Sequence, residues 1–78
     1  MLELLTETTN AANALFKGQP IIIWYAKLGP KSWRCFVINK SNKIKLAVGP
    51  VRTTPAASLM VVKDQLENLI NTTKTINI

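Results

Sequence analysis

Each of the three glycines in this chain is followed within two residues by a proline: Gly18 by Pro20, Gly29 by Pro30 and Gly49 by Pro50. Glycine reaches backbone conformations closed to other residues, and proline neither continues a helix nor joins a sheet interior, so these pairs mark element boundaries. They separate an N-terminal segment, a central stretch from Ile21 to Val48 and a C-terminal segment. With 78 residues no segment can form a second domain, and all three must share one core. A chain this short buries roughly 60% of the surface its unfolded form exposes, so little apolar surface can be wasted. A composition 47% hydrophobic and 18% charged is that of a globular chain.

The central stretch reads as three strands. Ile21 to Leu28 is rich in β-branched and aromatic residues, Gly29-Pro30-Lys31-Ser32 is a turn, and Trp33 to Asn39 is a second strand. Lys40-Ser41-Asn42 forms a tight polar connection. In the third strand, Lys43 to Val48, the set Lys43, Lys45 and Ala47 alternates with Ile44, Leu46 and Val48. Short turns imply an antiparallel meander. Four of the five aromatic residues lie between Trp24 and Phe36, which puts the bulkiest part of the core there.

Helices flank the meander. From about Glu3 to Lys17, Leu5, Ala12, Leu15 and Phe16 share one helical face, although the threonines and asparagines between them favour caps and turns. In the C-terminal segment Thr54 suits an N-cap and Pro55 the first helical position. Leu59, Val62, Leu66, Leu69 and Ile70 then form an apolar stripe opposite Asp64, Glu67 and Asn68. The expected fold is α+β in a single domain: an N-terminal helix over residues 1–18, a three-stranded antiparallel meander over 21–48 and a helix over 54–70 packed on the sheet. The tail over 71–78 is expected to be frayed, or a short edge strand using Ile76 and Ile78.

Several functions are excluded by inventory. The chain has no histidine, the commonest general base and metal ligand. Its four carboxylates, Glu3, Glu7, Asp64 and Glu67, fall at helical spacing on the two helices, the pattern of solvated helix faces. No glycine-rich phosphate cradle is present. An enzyme, a cofactor and a metal site are therefore not expected. Cys35 is the only cysteine, which excludes an intramolecular disulfide and fits a small buried hydrophobe in a reducing compartment. Met1 to Glu7 lacks the basic head of a signal peptide, and no apolar run approaches the roughly 20 residues of a membrane span. A soluble cytoplasmic protein is expected.

The charge points to a partner. The net charge is +6, and from Thr8 to Lys63 there is no acidic residue. Such a span sets up a positive field that captures polyanions. If Trp33, Cys35 and Val37 face the core, together with Ile44, Leu46 and Val48, the opposite sheet face carries Arg34, Phe36, Lys43 and Lys45. Basic side chains around an aromatic ring are a platform for phosphates and bases. That face also holds Ile38, and the first strand is apolar on both sides, as in sheets covered on both faces. The N-terminal helix or a second copy of the chain would be the cover.

From about Ile21 to Ile70 the chain resembles the plan of three antiparallel strands followed by one helix found in plant ethylene-response-factor DNA-binding domains and in the N-terminal arm-binding domains of phage-type integrases. The residues that carry the resemblance are a strand opening at Trp33, a basic third strand, and then Gly49, Val51, Thr53 and Ala57. Where those domains place arginines on the first strand, this chain offers Lys27 and, at the turn, Lys31. The resemblance implies DNA contacts from Arg34, Lys43 and Lys45, with Lys27 and Lys31 at the edge. Together with Phe36, Lys40 and Arg52 these form the candidate nucleic-acid-binding set. The expected partner is nucleic acid, DNA before RNA. The alternative is a viral or plasmid-type accessory role in which the chain binds and regulates a protein target, and a homodimer is compatible with both.

Overall fold

In the computed structural model, which describes residues 2–76 and side chains as far as Thr72, five elements follow one another. They are α1 (Leu2–Leu15), β1 (Ile21–Gly29), β2 (Ser32–Asn39), β3 (Lys45–Val48) and α2 (Pro55–Ile76). The strands form one antiparallel sheet in the order β1-β2-β3. The α+β architecture read from the sequence is the one observed.

The threonines of α1 do not break it, because they bond back along the helix. Thr6, Thr8 and Thr9 donate their hydroxyls to the carbonyls of Leu2, Leu4 and Leu5 at 3.0, 2.7 and 2.8 Å. Small residues at Thr8, Ala11 and Ala12 are buried and let α1 lie close to α2, its main neighbour. Gly18, at φ 82°, stops the helix in the left-handed region. At the start of α2 the Thr54 hydroxyl accepts the Ala57 N–H at 3.2 Å, as the N-cap reading requires.

Both helices lie on the same face of the sheet. Ala11 and Ala12 of α1 join Cys35 and Val37 of β2 and Leu59, Val62 and Leu66 of α2 in one buried cluster. Leu5, Leu15, Phe16, Ile21, Ile23, Tyr25 and Ile70 pack around it. The N-terminal helix therefore does not cover the second sheet face. Within the stripe expected for α2, Leu69 is exposed, since it lies about 100° around the helix from Ile70. No glycine or proline interrupts α2 after Pro55, and Thr72 bonds back to the Asn68 carbonyl at 2.8 Å. The helix accordingly runs to Ile76 in place of the frayed or edge-strand tail; Ile78 lies outside the described residues.

A serine hydroxyl fixes α2 to the sheet. Phe36 pairs with Val48, and pairing resumes at Trp33 with Arg52, one residue out of step. In the gap Ser58 Oγ accepts the Cys35 N–H at 3.0 Å and donates to the Pro50 carbonyl at 2.8 Å, replacing the missing ladder bonds. Gly49 allows the approach: a Cβ there would stand 2.6 Å from Ser58 Oγ and 2.7 Å from Val62 Cγ2.

The β3 register departs from simple alternation. Val37 pairs with Ala47 but Ile38 with Lys45, so Leu46 is a bulge residue. Leu46 and Ala47 both pack on the core, whereas Val48 points to the opposite face. Ile44 precedes the strand and is exposed. The expected inward set of Ile44, Leu46 and Val48 therefore reduces to Leu46. Lys43, at φ 64°, belongs to the turn, because that left-handed backbone does not continue into a strand.

Replacing Ser58 with alanine leaves the buried Cys35 N–H and the half-buried Pro50 carbonyl unpaired, and urea unfolding is expected to show a loss of about 1–3 kcal/mol. Gly49→Ala is expected to cost at least as much through overpacking, with unchanged stability contradicting the assigned contact.

Candidate nucleic-acid interface

The sheet face opposite the helices is built from three cross-strand rows. Ile22, Ile38 and Lys45 make the first; Trp24, Phe36 and Val48 the second; Ala26 and Arg34 the third. A bulge determines this set. Gly29 pairs with Ser32, but Lys27 pairs with Trp33, leaving Leu28 over on β1. Without that extra residue Trp24 would oppose Val37 and enter the core, because a one-residue slip moves a whole strand to its other face. Pro30 accounts for the irregularity. It holds φ near −65°, which bars the positive-φ two-residue turns that match strand twist, and neither Pro30 nor Lys31 has positive φ.

Trp24 is 55% exposed and Val48 46%, while Phe36 between them is only 8% exposed. The ammonium of Lys45 lies 4.7 Å from the Phe36 ring centroid, so its stem and charge cap that ring. Phe36 therefore supports the face, and Trp24 is its accessible aromatic. Beside Trp24 a shallow depression of about 210 Å³ is lined by Ile22, Trp24, Ile38 and Lys43.

The β2–β3 turn that presents Lys43 is tightly bonded. Asn39 Oδ1 accepts the N–H groups of Ser41 and Asn42 at 2.9 and 3.3 Å, and the Asn39 carbonyl accepts that of Lys43 at 2.8 Å. Asn42 Oδ1 accepts the Ile44 N–H at 3.0 Å, and Asn39 Nδ2 donates to Gln19 Oε1 at 3.0 Å. These bonds hold Lys43 in a conformation that costs a non-glycine residue about 1–2 kcal/mol.

Of the expected set, Arg34, Phe36 and Lys45 share the outer face and Lys43 stands at its rim. Lys27, Lys31 and Arg52 gather elsewhere, at the hairpin end of the sheet. There Trp33 pairs with both Lys27 and Arg52, and the Lys27 ammonium lies 5.5 Å from the Trp33 ring centroid. Lys40 lies in the β2–β3 turn, at the other end. Trp24, Ile22 and Val48 belong to the face but not to the set. For Ile22 and Trp24 the sequence signal was Pro30, whose restriction on the turn favours the β1 bulge; Val48 is turned outward by the separate bulge at Leu46.

Charge is divided between the two layers. All four carboxylates are on α1 and α2. Among the described residues the ion pairs are those of Lys63, which joins the helices through Glu7 at 3.1 Å and Glu67 at 3.3 Å. Both carboxylates hold the Lys63 ammonium above its ordinary pKa. Among the described residues no carboxylate lies within that reach of Arg34, Lys43 or Lys45, and Arg34 Nε is buried without a hydrogen-bond partner. Burial pushes the Cys35 thiol up to about 11, the condition of an inert core thiol. Among the described residues no cluster of metal-ligating side chains occurs, and no helix is long and apolar enough to cross a membrane.

Fold and face together define a small two-layer α+β domain with two helices on one side and an open, basic, partly apolar sheet on the other. No family model matches the chain, and no curated protein or solved structure matches it.

With Trp33 replaced by phenylalanine, Trp24 is the sole indole. Relative to free N-acetyltryptophanamide, iodide quenching of its emission is expected to be favoured over caesium quenching, because the surrounding cations concentrate anions and repel caesium. An iodide-to-caesium quenching ratio equal to that of the free indole would contradict a positive outer face.

Proposed function

We propose that this domain is a non-catalytic DNA-binding module whose contact surface is the outer face of its sheet. The observation that carries the reading is the division of charge: the carboxylates lie on the helices, and the open face presents Arg34, Lys43 and Lys45 around the exposed Trp24. Cations without carboxylate partners are free to exchange counterions for phosphates, which is the main source of affinity for nucleic acid. The resemblance to sheet-plus-helix DNA-binding domains supports the same use of the sheet. Lys31 and Lys40, in the two turns, extend the contact at either end of the sheet, whereas Lys27 and Arg52 pair with Trp33 on the helix-bearing face and stand outside it. The exposed apolar side chains Ile22, Ile44 and Val48 favour a second reading, an accessory protein that docks on a protein target.

Binding of labelled DNA across a salt series separates the two. Under the DNA reading affinity falls steeply as salt rises, and replacing Lys43 and Lys45 together with glutamine lowers the log–log slope by roughly 1–2 units while the fold is retained. Absence of any DNA shift at low salt supports the protein-docking reading instead.

A further inference from the structure

We propose that the depression formed by Ile22, Trp24, Ile38 and Lys43 is a nucleotide subsite for single-stranded DNA, in which an unpaired base stacks on the Trp24 indole and Lys43 holds the neighbouring phosphate. This rests on the sheet-face reading above and adds the strandedness of the DNA. Three observations carry it. The depression is concave and apolar, with one basic residue, Lys43, in its lining, which matches a flat base attached to an anion. Trp24 stands over half exposed although a core lies on the other side of the same strand, so its indole is available as a stacking surface. Lys43 is kept at φ 64° by the Asn39 and Asn42 bonds, so the backbone that presents the subsite cation is fixed before any ligand arrives.

Charge complementarity selects the occupant. Lys43, Lys45 and Arg34 border the face and no carboxylate lies on its strands, so an anionic chain is favoured, and a second copy of this basic protein would bring like charges together. In a duplex the bases are stacked on one another and their faces are closed to Trp24. In a single strand they can turn out onto an aromatic ring, and such stacking tolerates any sequence. Lys45 and Arg34, on the first and third rows, then offer further phosphate contacts along the sheet.

The test uses the full chain with fluorescein-labelled oligodeoxythymidine and a duplex of equal length, together with Trp24 emission read in the Trp33→Phe background. The single strand is expected to bind at least about tenfold more tightly than the duplex and to quench Trp24 with the same midpoint. Trp24→Ala is expected to lose roughly tenfold or more in single-strand affinity, with Trp24→Phe keeping most of it and duplex affinity unchanged in both. Lys43→Gly relieves the left-handed backbone, so its unfolding midpoint is expected to hold or rise while single-strand affinity falls; this separates a binding role from a structural one. Equal affinity for duplex and single strand with unmoved Trp24 emission would overturn the subsite and leave the sheet-face reading standing. Failure of both DNAs to bind at low salt would overturn both. A free protein that is dimeric in solution and becomes monomeric on Trp24→Ala would show that a second copy occupies the depression, and would overturn the subsite as well.

Discussion

The Ser58 hydroxyl stands where the β2–β3 ladder is out of register, and the arrangement of the two layers depends on it. It satisfies the Cys35 N–H and the Pro50 carbonyl together, so the sheet loses no hydrogen bond by turning away at Gly49. The same contact sets the depth at which α2 lies, because Gly49 has no side chain to hold the helix off. With α2 fixed, Leu59, Val62 and Leu66 reach Cys35 and Val37, and α1 completes the layer through its small residues Thr8, Ala11 and Ala12. One face of the sheet is thus fully used, and the other has no element of this chain over it among the described residues.

What the open face displays follows from two bulges. Leu28 in β1 turns Trp24 outward and Ile23 and Tyr25 inward. Leu46 in β3 turns itself and Ala47 to the core while Lys45 joins the outer face beside Ile38. Between them the two bulges keep apolar residues on the core while one delivers a large aromatic and the other a cation to the surface. The acidic residues, confined to the helices, leave that surface positive. A sheet face that is open, basic and centred on an exposed indole is suited to an anionic, stackable ligand more than to water.

Much of this was legible in the sequence. The glycine–proline pairs gave the boundaries, Thr54-Pro55 gave the start of α2, and the acid-free span gave the sign of the sheet. The parity of β2 was legible too, since an uninterrupted strand alternates, and Cys35 and Val37 are fully buried. Alternation failed where the backbone does not alternate. Lys43 sits in a left-handed turn and Leu46 in a bulge, so β3 is shorter than its pattern and only Leu46 of its expected inward set reaches the core. Phe36 stands on the outer face as expected, but it lies under Lys45, and the accessible ring is Trp24, exposed through a slip that β1 composition alone does not encode. The side of the sheet taken by α1 depends on helix–helix packing, which no local pattern specifies.

The face opposite the helices is where we propose that DNA is held. Amide and indole N–H shifts followed by NMR during titration with single-stranded DNA test it most directly. The changes are expected to cluster on Ile22, Trp24, Phe36, Ile38, Lys43 and Lys45, with the solvent-facing sides of α1 and α2 unmoved. Shifts concentrated on the helices, or none at low salt, would contradict it.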